Sequence, residues 1–458
     1  MILIAAFLAS AAFAPISLWF LGLIGYFLYF RKIFASKKPI FFSFAFGFIY
    51  NAIVLHWAGK YVGAAPWILL ALLQALFYIP VGYIAKRTQN LWWGVLTVLL
   101  MEELRSRFPF GGFGWTRVAF SQVESPLLPI VSIGGVLALS ALTLISAALM
   151  ASFSLRNLLV LIAIFLGAVS IPDNPQGSGS IRFLAIQGNT PSVGLDFNSR
   201  AEAVFKLHRD ATYRFAKSNY DVIVWPENAI DIDPKDDPAV ANDIEILTKK
   251  LASPLIAGVV ENHNGVPLNA SIMYSKDGRF VTEYVKRGLT PFGEYMPLRG
   301  LAQLVSPFAS QVVDFQKGSQ RQVHTISGEV VGPVICYEII TDQLVADMAK
   351  HSSALIVQTN SATFAGTAES RQQLAITRIR AVENSRYILS VSTIGISALI
   401  DNNGRVISQT KENLQSSLTG DLKMNQSQTF ANRYGKLSDL AMLLFITFLG
   451  IRYSRRGA

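Results

Sequence analysis

The residues best suited to chemistry lie where apolar segments end, and the first of them is the single cysteine, Cys336. It lies in the run Gly332-Pro-Val-Ile-Cys336-Tyr337-Glu338, where an apolar strand ends and a turn leads into a helix. A free cysteine is usually a buried filler, but a thiol at such a turn is well placed for stabilisation of its thiolate. One cysteine excludes an intrachain disulfide and a cysteine-rich metal site.

Two further segments place charged side chains after apolar strands. Glu227 ends Val222-Ile-Val-Trp-Pro-Glu227, at the edge of a sheet where pockets form. Lys286 and Arg287 follow an apolar strand, and Glu294 lies in the Pro-Phe-Gly-Glu loop that comes next. Considered alone, Glu227 is best explained as a turn residue or a salt-bridge partner. Lys286 and Arg287, considered alone, are best explained as solvent-exposed surface residues. Together the segments give the order Glu, Lys, Cys along the chain.

The elements that must position these residues alternate between short apolar strands and helical stretches. We predict strands at Ile181–Ile186, Val222–Trp225, Leu255–Val260, Ala270–Tyr274, Val330–Ile335, Ala354–Val357 and Ile388–Ser392. Helices are predicted at Ser199–Lys217, Asp243–Leu251, Thr341–His351 and Thr367–Ser385. Hairpin turns are indicated between Tyr274 and Phe280 and at Asp401-Asn-Asn-Gly404. This alternation predicts a mixed α/β layered fold.

The composition of the chain differs between a part that suits a lipid membrane and a part that suits water. Of 458 residues, 51% are apolar and only 15% are charged, against about a quarter charged in soluble proteins. Residues 1–172 hold long apolar runs and predict a membrane domain of about seven helices. Residues 173–180 read as a linker, 181–425 as a globular domain, and 426–458 as a last span with a basic tail. The net charge of +10 lies largely beside the apolar runs, which favours lipid headgroups over nucleic acid.

The apolar runs are long enough to predict several membrane spans, each of about 20 residues. Residues 2–30 form either two tight spans, Ile2–Ala14 and Ile16–Phe30, or one span that is kinked at Pro15. A cleaved signal peptide is disfavoured for the first run, because no basic segment precedes it. The other candidates are Ile40–Trp57, Trp67–Ala85, Leu91–Leu104, Leu127–Phe153, Leu155–Ile171 and Leu437–Ile451.

Basic residues in the connecting segments predict the orientation of these spans. One set of alternate segments holds ten basic residues: Arg31, Lys32, Lys37, Lys38, Lys86, Arg87, Arg156, Arg452, Arg455 and Arg456. The other set holds four: Lys60, Arg105, Arg107 and Arg117. The bias places the first set in the cytoplasm and residues 173–436 outside it.

Polar residues inside or beside the spans are functional candidates, although a satisfied interhelical hydrogen bond or an interfacial position is the favoured explanation. These residues are Asn51, His56, Glu102 and Glu103. The segment Phe108–Trp115, rich in glycine and aromatic residues, is expected outside and close to the membrane. It reads either as an interfacial packing loop or as part of a lipid entrance.

The motifs in this order resemble the nitrilase superfamily, and specifically its membrane-embedded branch, the apolipoprotein N-acyltransferases. The resemblance covers nearly the whole chain, with spans at both ends. It is carried by Gln187-Gly-Asn189, Trp225-Pro-Glu227, Lys286 with Glu294, Cys336-Tyr337-Glu338, Thr359-Asn360, and Arg378-Ile-Arg-Ala-Val-Glu383-Asn-Ser-Arg386. Where family members carry a tryptophan after the Gln-Gly-Asn segment, this chain has none, and Phe197 is the nearest aromatic residue.

The resemblance implies an αββα sandwich and a role for each matched residue. Glu227 would be the general base, Lys286 would stabilise the oxyanion, and Cys336 would be the nucleophile. Glu294 would hold Lys286 or help to move the proton. Tyr337, Glu338 and Asn360 would complete the pocket, and no cofactor or metal is implied.

The resemblance also implies a ping-pong reaction at a bacterial-type cell membrane. Cys336 would take the acyl chain of a phospholipid, and the thioester would pass it to the N-terminal amine of a diacylglyceryl-cysteine apolipoprotein. The main alternative is a membrane-tethered amidase acting on a small carbon–nitrogen substrate, which leaves most of the spans without a purpose. A third reading is a transporter or lipid-binding scaffold whose nitrilase-like domain has lost catalysis.

Overall fold

The computed structural model describes residues 1–193, 202–217 and 220–454. Two compact units are present, one formed by residues 1–173 with the C-terminal segment from Thr429, the other by Asn174–Gln428. The described residues form these α-helices: α1 (Ile2–Ala11), α2 (Trp19–Phe34), α3 (Pro39–Val54), α4 (Ala64–Leu76), α5 (Ile79–Thr88), α6 (Leu91–Arg105), α7 (Val131–Ala151), α8 (Leu155–Val169), α9 (Ala203–Phe215), α10 (Pro238–Leu251), α11 (Arg299–Val305), α12 (Asp342–Lys350), α13 (Glu369–Asn384) and α14 (Phe430–Ser454).

The first unit is helical and contains three runs that are long and apolar enough to cross a membrane. They are Ala64–Thr88, Leu128–Ala151 and Phe430–Ser454. Shorter apolar helices are Ile2–Ala11, Pro39–Val54 and Leu155–Val169. Residues 2–30 therefore contribute two separate helices, α1 and the greater part of α2.

Three details of this unit differ from the sequence expectation. The predicted span Trp67–Ala85 is interrupted at Phe77 and Tyr78, because Pro80 sits in the first turn of α5 and cannot continue α4. Arg31 and Lys32 belong to the last turn of α2, where cations interact favourably with the helix dipole, and not to a loop. Arg105 likewise ends α6, and its side chain is buried.

The second unit contains two six-stranded sheets. Its strands are β1 (Ser180–Gln187), β2 (Val222–Val224), β3 (Leu255–His263), β4 (Val266–Tyr274), β5 (Phe280–Val285), β6 (His324–Ile326), β7 (Glu329–Ile335), β8 (Ala354–Thr359), β9 (Ile388–Ser392), β10 (Ala398–Ile400), β11 (Val406–Gln409) and β12 (Ser416–Lys423). The strand orders are β12-β1-β2-β3-β4-β5 and β11-β10-β9-β8-β7-β6. The centre of each sheet is parallel, and its edges are antiparallel.

Alternating side chains of β1 show how the layers are held together. Ile181, Phe183 and Ala185 enter a core shared with strands of the second sheet, including β8 and β9. Leu184 and Ile186 point the other way and pack with α9 and α10. On the second sheet, α12 contacts β7 and β8, and α13 contacts β9. The predicted αββα sandwich is confirmed.

All seven predicted strands are formed, as are both hairpins. The predicted helix Ser199–Lys217 corresponds to α9, and its first residues, like Phe197, lie outside the described residues. The linker prediction needs a correction, because residues from Asn174 onward belong to the second unit. Asn174 donates to the backbone oxygens of Val382 and Asn402, so polar side chains fasten this segment to the sandwich.

Candidate active site

The position of Glu227 is determined by the end of β2 and by the neighbouring strand β3. Trp225 and Glu227 are buried, and the backbone of Pro226 accepts a hydrogen bond from the N–H of Gly258 at 3.1 Å. A Cβ on Gly258 would lie 2.4 Å from the oxygen of Pro226 and 2.5 Å from the Cα of Glu227. Only glycine allows this approach, so Gly258 lets β3 pack directly against the backbone that carries Glu227.

Lys286 follows β5 directly and is buried, with 1% of its surface exposed. Its Nζ lies 3.0 Å from Oε1 of Glu227 and 2.9 Å from Oε1 of Glu294. Burial opposes the charged form, but the two carboxylates raise the pKa of the Lys286 ammonium well above its usual value. The lysine is therefore a fixed cation and not part of a solvated surface.

Asn269 on β4 completes this cluster, and the sequence analysis missed it. Its Nδ2 donates to Oε1 of Glu227 and to Oε1 of Glu294, both at 2.8 Å. Its backbone oxygen accepts the N–H of Lys286 at 2.9 Å. An amide next to the predicted apolar strand Ala270–Tyr274 was the available signal.

Both carboxylate oxygens of Glu294 accept hydrogen bonds. Besides the contacts of Oε1, its Oε2 accepts the backbone N–H of Thr290 at 2.7 Å. Burial opposes ionisation, but the ammonium of Lys286 and these hydrogen bonds hold the pKa of the Glu294 carboxyl below its usual value. Glu294 is thus an ionised partner of Lys286.

Cys336 occupies the first position of a short 3₁₀ helix, Cys336–Ile340, directly after β7. Its φ of 47° lies in the left-handed region, a strained conformation that clusters at functional sites. Nε2 of Gln373 lies 3.7 Å from Sγ. Burial, reinforced by the charge of Glu227, raises the pKa of the thiol well above its usual value. The expected stabilisation of the thiolate is therefore wrong for this resting site, and the thiol needs a base.

Glu338 ties the turn of the cysteine to the strand that carries the lysine. Its Oε2 accepts the N–H of Ile335 at 2.8 Å, and its Oε1 accepts the N–H groups of Arg287 and Gly288 at 2.7 and 2.9 Å. Burial raises the pKa of this carboxyl. Glu338 thus links the turn of Cys336 to the segment after β5.

Two more predicted residues have identifiable places. Tyr337 is buried next to the cysteine. Asn360 follows β8, and its Oδ1 accepts the N–H of Ala362 at 3.0 Å, which makes it the first residue of a tight turn.

The first turn of α13 adds Glu369, which the sequence analysis did not identify. Its side chain is 3% exposed, and Oε2 has no hydrogen-bond partner among the described residues. Burial raises the pKa of the Glu369 carboxyl to about 7; the nearby Ser361 hydroxyl acts against this shift, and the charges of Glu227 and Glu412 act in its direction. Glu369 and Gln373 are four residues apart and share one face of the helix.

Polar residues of the first unit form a separate network. Arg105 donates to Gln74 Oε1 at 3.0 Å and to Thr116 Oγ1 at 2.5 Å. Thr116 Oγ1 donates to Asn51 Oδ1 at 2.7 Å, and Glu102 accepts from Arg105 at 3.3 Å. These hydrogen bonds give Asn51 the simpler, structural explanation. His56 lies beyond the end of α3 and packs edge-on against Trp67.

Comparison with known families identifies the family of the second unit. The model of the carbon–nitrogen hydrolase family matches residues 185–432, more than half of the chain. The chain belongs to the carbon–nitrogen hydrolase family. Residues 5–149 match a second model, the N-terminal domain of apolipoprotein N-acyltransferase. Within the carbon–nitrogen hydrolases, this second match identifies the predicted membrane-embedded branch.

Curated relatives resemble the chain over most of its length. An apolipoprotein N-acyltransferase of Mycolicibacterium smegmatis is 29% identical, across 94% of this chain and 81% of the relative. One from Geobacter metallireducens is 25% identical, across 87% and 84%. Among solved structures, a carbon–nitrogen hydrolase superfamily protein of Xanthomonas campestris aligns with 18% identity and a TM-score of 0.42, across 58% of this chain and 97% of that protein.

In residues 1–193, 202–217 and 220–454, no group of three or more His, Cys, Asp or Glu side chains could hold a metal ion. The charged side chains of the site instead pair with each other, with Lys286 between Glu227 and Glu294.

Proposed function

We propose that this chain is an apolipoprotein N-acyltransferase that works through a Glu227, Lys286 and Cys336 triad. It moves an acyl chain from a phospholipid to Cys336, and from there to the N-terminal amine of a diacylglyceryl-cysteine apolipoprotein. The observation that carries the proposal is the buried lysine held between two carboxylates beside a strained cysteine. The match of residues 5–149 to the acyltransferase N-terminal domain supports transfer over hydrolysis.

The first half-reaction forms the thioester. Glu227 takes the thiol proton as Sγ of Cys336 attacks the ester carbon of the phospholipid, because the raised pKa of the thiol leaves little free thiolate. An ammonium has three N–H donors, and Lys286 directs two of them at Glu227 and Glu294. Its third donor and the N–H of Tyr337 stabilise the oxyanion. The carbon–oxygen bond then breaks, and Glu227 returns the proton to the departing lysophospholipid.

The second half-reaction consumes the thioester. The acceptor amine attacks the thioester carbon, the carbon–nitrogen bond forms, and the carbon–sulfur bond breaks. Glu227 takes the proton of the attacking nitrogen and delivers it to the sulfur of Cys336. The thiol is regenerated and the amide product leaves. Because water competes for the thioester, the buried position of this site favours transfer.

The same proposal includes a location. Both substrates are lipid-anchored, which gives the helical unit a purpose that a small amide would not. The chain would cross a bacterial cell membrane several times, with the carbon–nitrogen hydrolase unit on the extracytoplasmic side. The support is the bias of ten basic residues against four between the two sides of the predicted spans, counted in the end turns of the helices and in the segments between them.

Incubation of the purified enzyme with acyl-labelled phospholipid tests the function. We expect a hydroxylamine-labile label on Cys336, which disappears when a diacylglyceryl-cysteine peptide is added and reappears on that peptide. Cys336→Ala is the control and should remain unlabelled. Turnover of a small amide without any acyl-enzyme from phospholipid would contradict the proposal and support the amidase alternative.

A further inference from the structure

The carboxyl of Glu369 stands out because it is buried near the nucleophile without a cation. Lys286 serves Glu227 and Glu294 together, so that group of three carries a net charge of −1. No ion pair to Glu369 occurs among the described residues, and its Oε2 lacks a donor. A buried carboxylate in this state is costly, and a ligand that brings both a positive charge and N–H donors would offset the cost.

Glu369 lies on the face of α13 that is turned toward Cys336. Glu369 opens α13, and Gln373, one turn later on the same face, reaches to 3.7 Å from Sγ of Cys336. The charge of Glu369 acts on the thiol, and the charge of Glu227 acts on Glu369. Of the other charged groups nearby, Glu412 also faces Glu369, and Arg371 lies 3.4 Å from Glu412.

In the second half-reaction the acceptor must lose one proton that no residue of the triad accepts. An α-amine has a pKa of about 7.7–8.0, so the acceptor arrives mostly as an ammonium at neutral pH. An ammonium has no lone pair and cannot attack the thioester. Glu227 is needed for the proton that leaves the nitrogen during attack and ends on the sulfur. The first proton of the ammonium therefore requires another acceptor.

We propose that Glu369 binds the ammonium of the acceptor and takes its first proton, a proposal that rests on the function given above. The ammonium transfers one proton to the Glu369 carboxylate, which leaves a neutral amine and a neutral carboxylic acid. The amine then attacks the thioester, and Glu227 carries the second proton from nitrogen to Cys336. Glu369 releases its proton to solvent after the amide has left. A pKa near 7 suits a group that must accept and release a proton near neutrality.

Glu369→Gln tests this role, because it keeps the size of the side chain and removes only the proton acceptor. Single-turnover acylation of Cys336 by labelled phospholipid should be no slower than in the wild type. Transfer from acyl-Cys336 to a diacylglyceryl-cysteine peptide should fall by about 10²-fold at pH 7. The loss should shrink as the pH rises past the pKa of the amine, since the acceptor then arrives uncharged.

Hydroxylamine provides the readout that a purely structural role would not give. It is largely uncharged at neutral pH and needs no prior deprotonation, so it should cleave acyl-Cys336 of Glu369→Gln as fast as that of the wild type. Glu412→Gln is the matched control, since it removes another carboxylate whose charge acts on Glu369, and it should retain transfer at pH 7.

The proposal for Glu369 is overturned if Glu369→Gln slows acylation as much as transfer, or slows hydroxylamine cleavage. It is also overturned if the loss is the same at every pH, or if Glu412→Gln behaves identically. Failure of the function itself looks different, because the wild-type enzyme would then form no acyl-Cys336 from phospholipid.

Discussion

Asn269 holds Glu227 through a hydrogen bond of 2.8 Å between Nδ2 and Oε1, and the same amide nitrogen also contacts Glu294. The register of the first sheet explains this contact, because Ala270 pairs with Val285 and brings Asn269 beside the strand end that carries Lys286. One neutral side chain therefore orients both carboxylates around the lysine. The amide adds no charge that would disturb the balance of the ion pairs.

Replacing Asn269 by alanine should impair the first half-reaction. The two carboxylates would lose a shared donor and shift, and a displacement of about 1 Å at reacting groups costs roughly 10²-fold in rate. Single-turnover acylation of Cys336 measures the effect. Asn262→Ala, an exposed asparagine on β3, is the control and should acylate normally. A normal rate in Asn269→Ala would show that Lys286 alone positions the carboxylates.

Cys336→Ser should abolish transfer while the fold is retained. The change is nearly isosteric, but an alkoxide is far harder to form near neutral pH than a thiolate. The positive φ at this position is unchanged, so the strained backbone remains. Transfer of labelled acyl chains to a peptide is the measurement. Retention of more than a small fraction of wild-type activity would rule out the thioester route.

Lys286→Arg keeps the charge but loses the compact ammonium. A planar guanidinium cannot contact Glu227 and Glu294 and also direct a donor at the oxyanion in the same small space. Loss of one oxyanion contact costs about 10²–10³ in rate, so acyl-Cys336 should form slowly although phospholipid binds almost normally. The exposed Lys249→Arg on α10 is the control. Wild-type acylation in Lys286→Arg would assign Lys286 a structural role only.

The membrane orientation can be tested with reporter fusions. Fusions after Lys38, Arg87 and Arg456 should report a cytoplasmic location, and a fusion after Asp173 an external one, because basic segments resist translocation. The test uses the full chain up to each fusion point. A cytoplasmic signal after Asp173 would place the carbon–nitrogen hydrolase unit away from lipid-anchored acceptors and contradict the proposed substrate.

The candidate residues Glu227, Lys286 and Cys336 could be picked out from the sequence because each comes within three residues of the end of a strand, whereas their catalytic roles stay a prediction. The strands are local signals, and the ends of strands gather at a sheet edge. Asn269 and Glu369 could not be found in this way, since their importance depends on strand register and on the packing of α13. The contacts of Glu338 depend on tertiary packing in the same way. Its contacts with Gly288 and Ile335 join segments that are far apart in the chain.

The carboxyls of Glu261 and Glu283 predict an unusual dependence of stability on pH. Glu261 on β3 is buried, and Nζ of Lys235 lies 2.7 Å from its Oε1. Burial, together with a hydrogen bond to Glu283, raises the pKa of Glu261 from 4.5 to about 8. Between these values the folded unit holds a proton that the unfolded chain releases. This stabilising contribution is therefore complete below about pH 4.5 and is lost as the pH rises through about 8.

Glu261→Gln removes this titration and keeps the shape of the side chain. At pH 5 the variant and the wild type should unfold at similar temperatures. By pH 9 the variant should be more stable by about 2–4 °C, the shift that 1 kcal/mol produces in a unit of this size. Thermal unfolding of the detergent-solubilised protein across this pH range is the measurement. Glu245→Gln, an exposed carboxyl on α10, should show no gain at alkaline pH. A difference for Glu261→Gln that does not change with pH would mean that Glu261 is ionised throughout, with Lys235 alone as its partner.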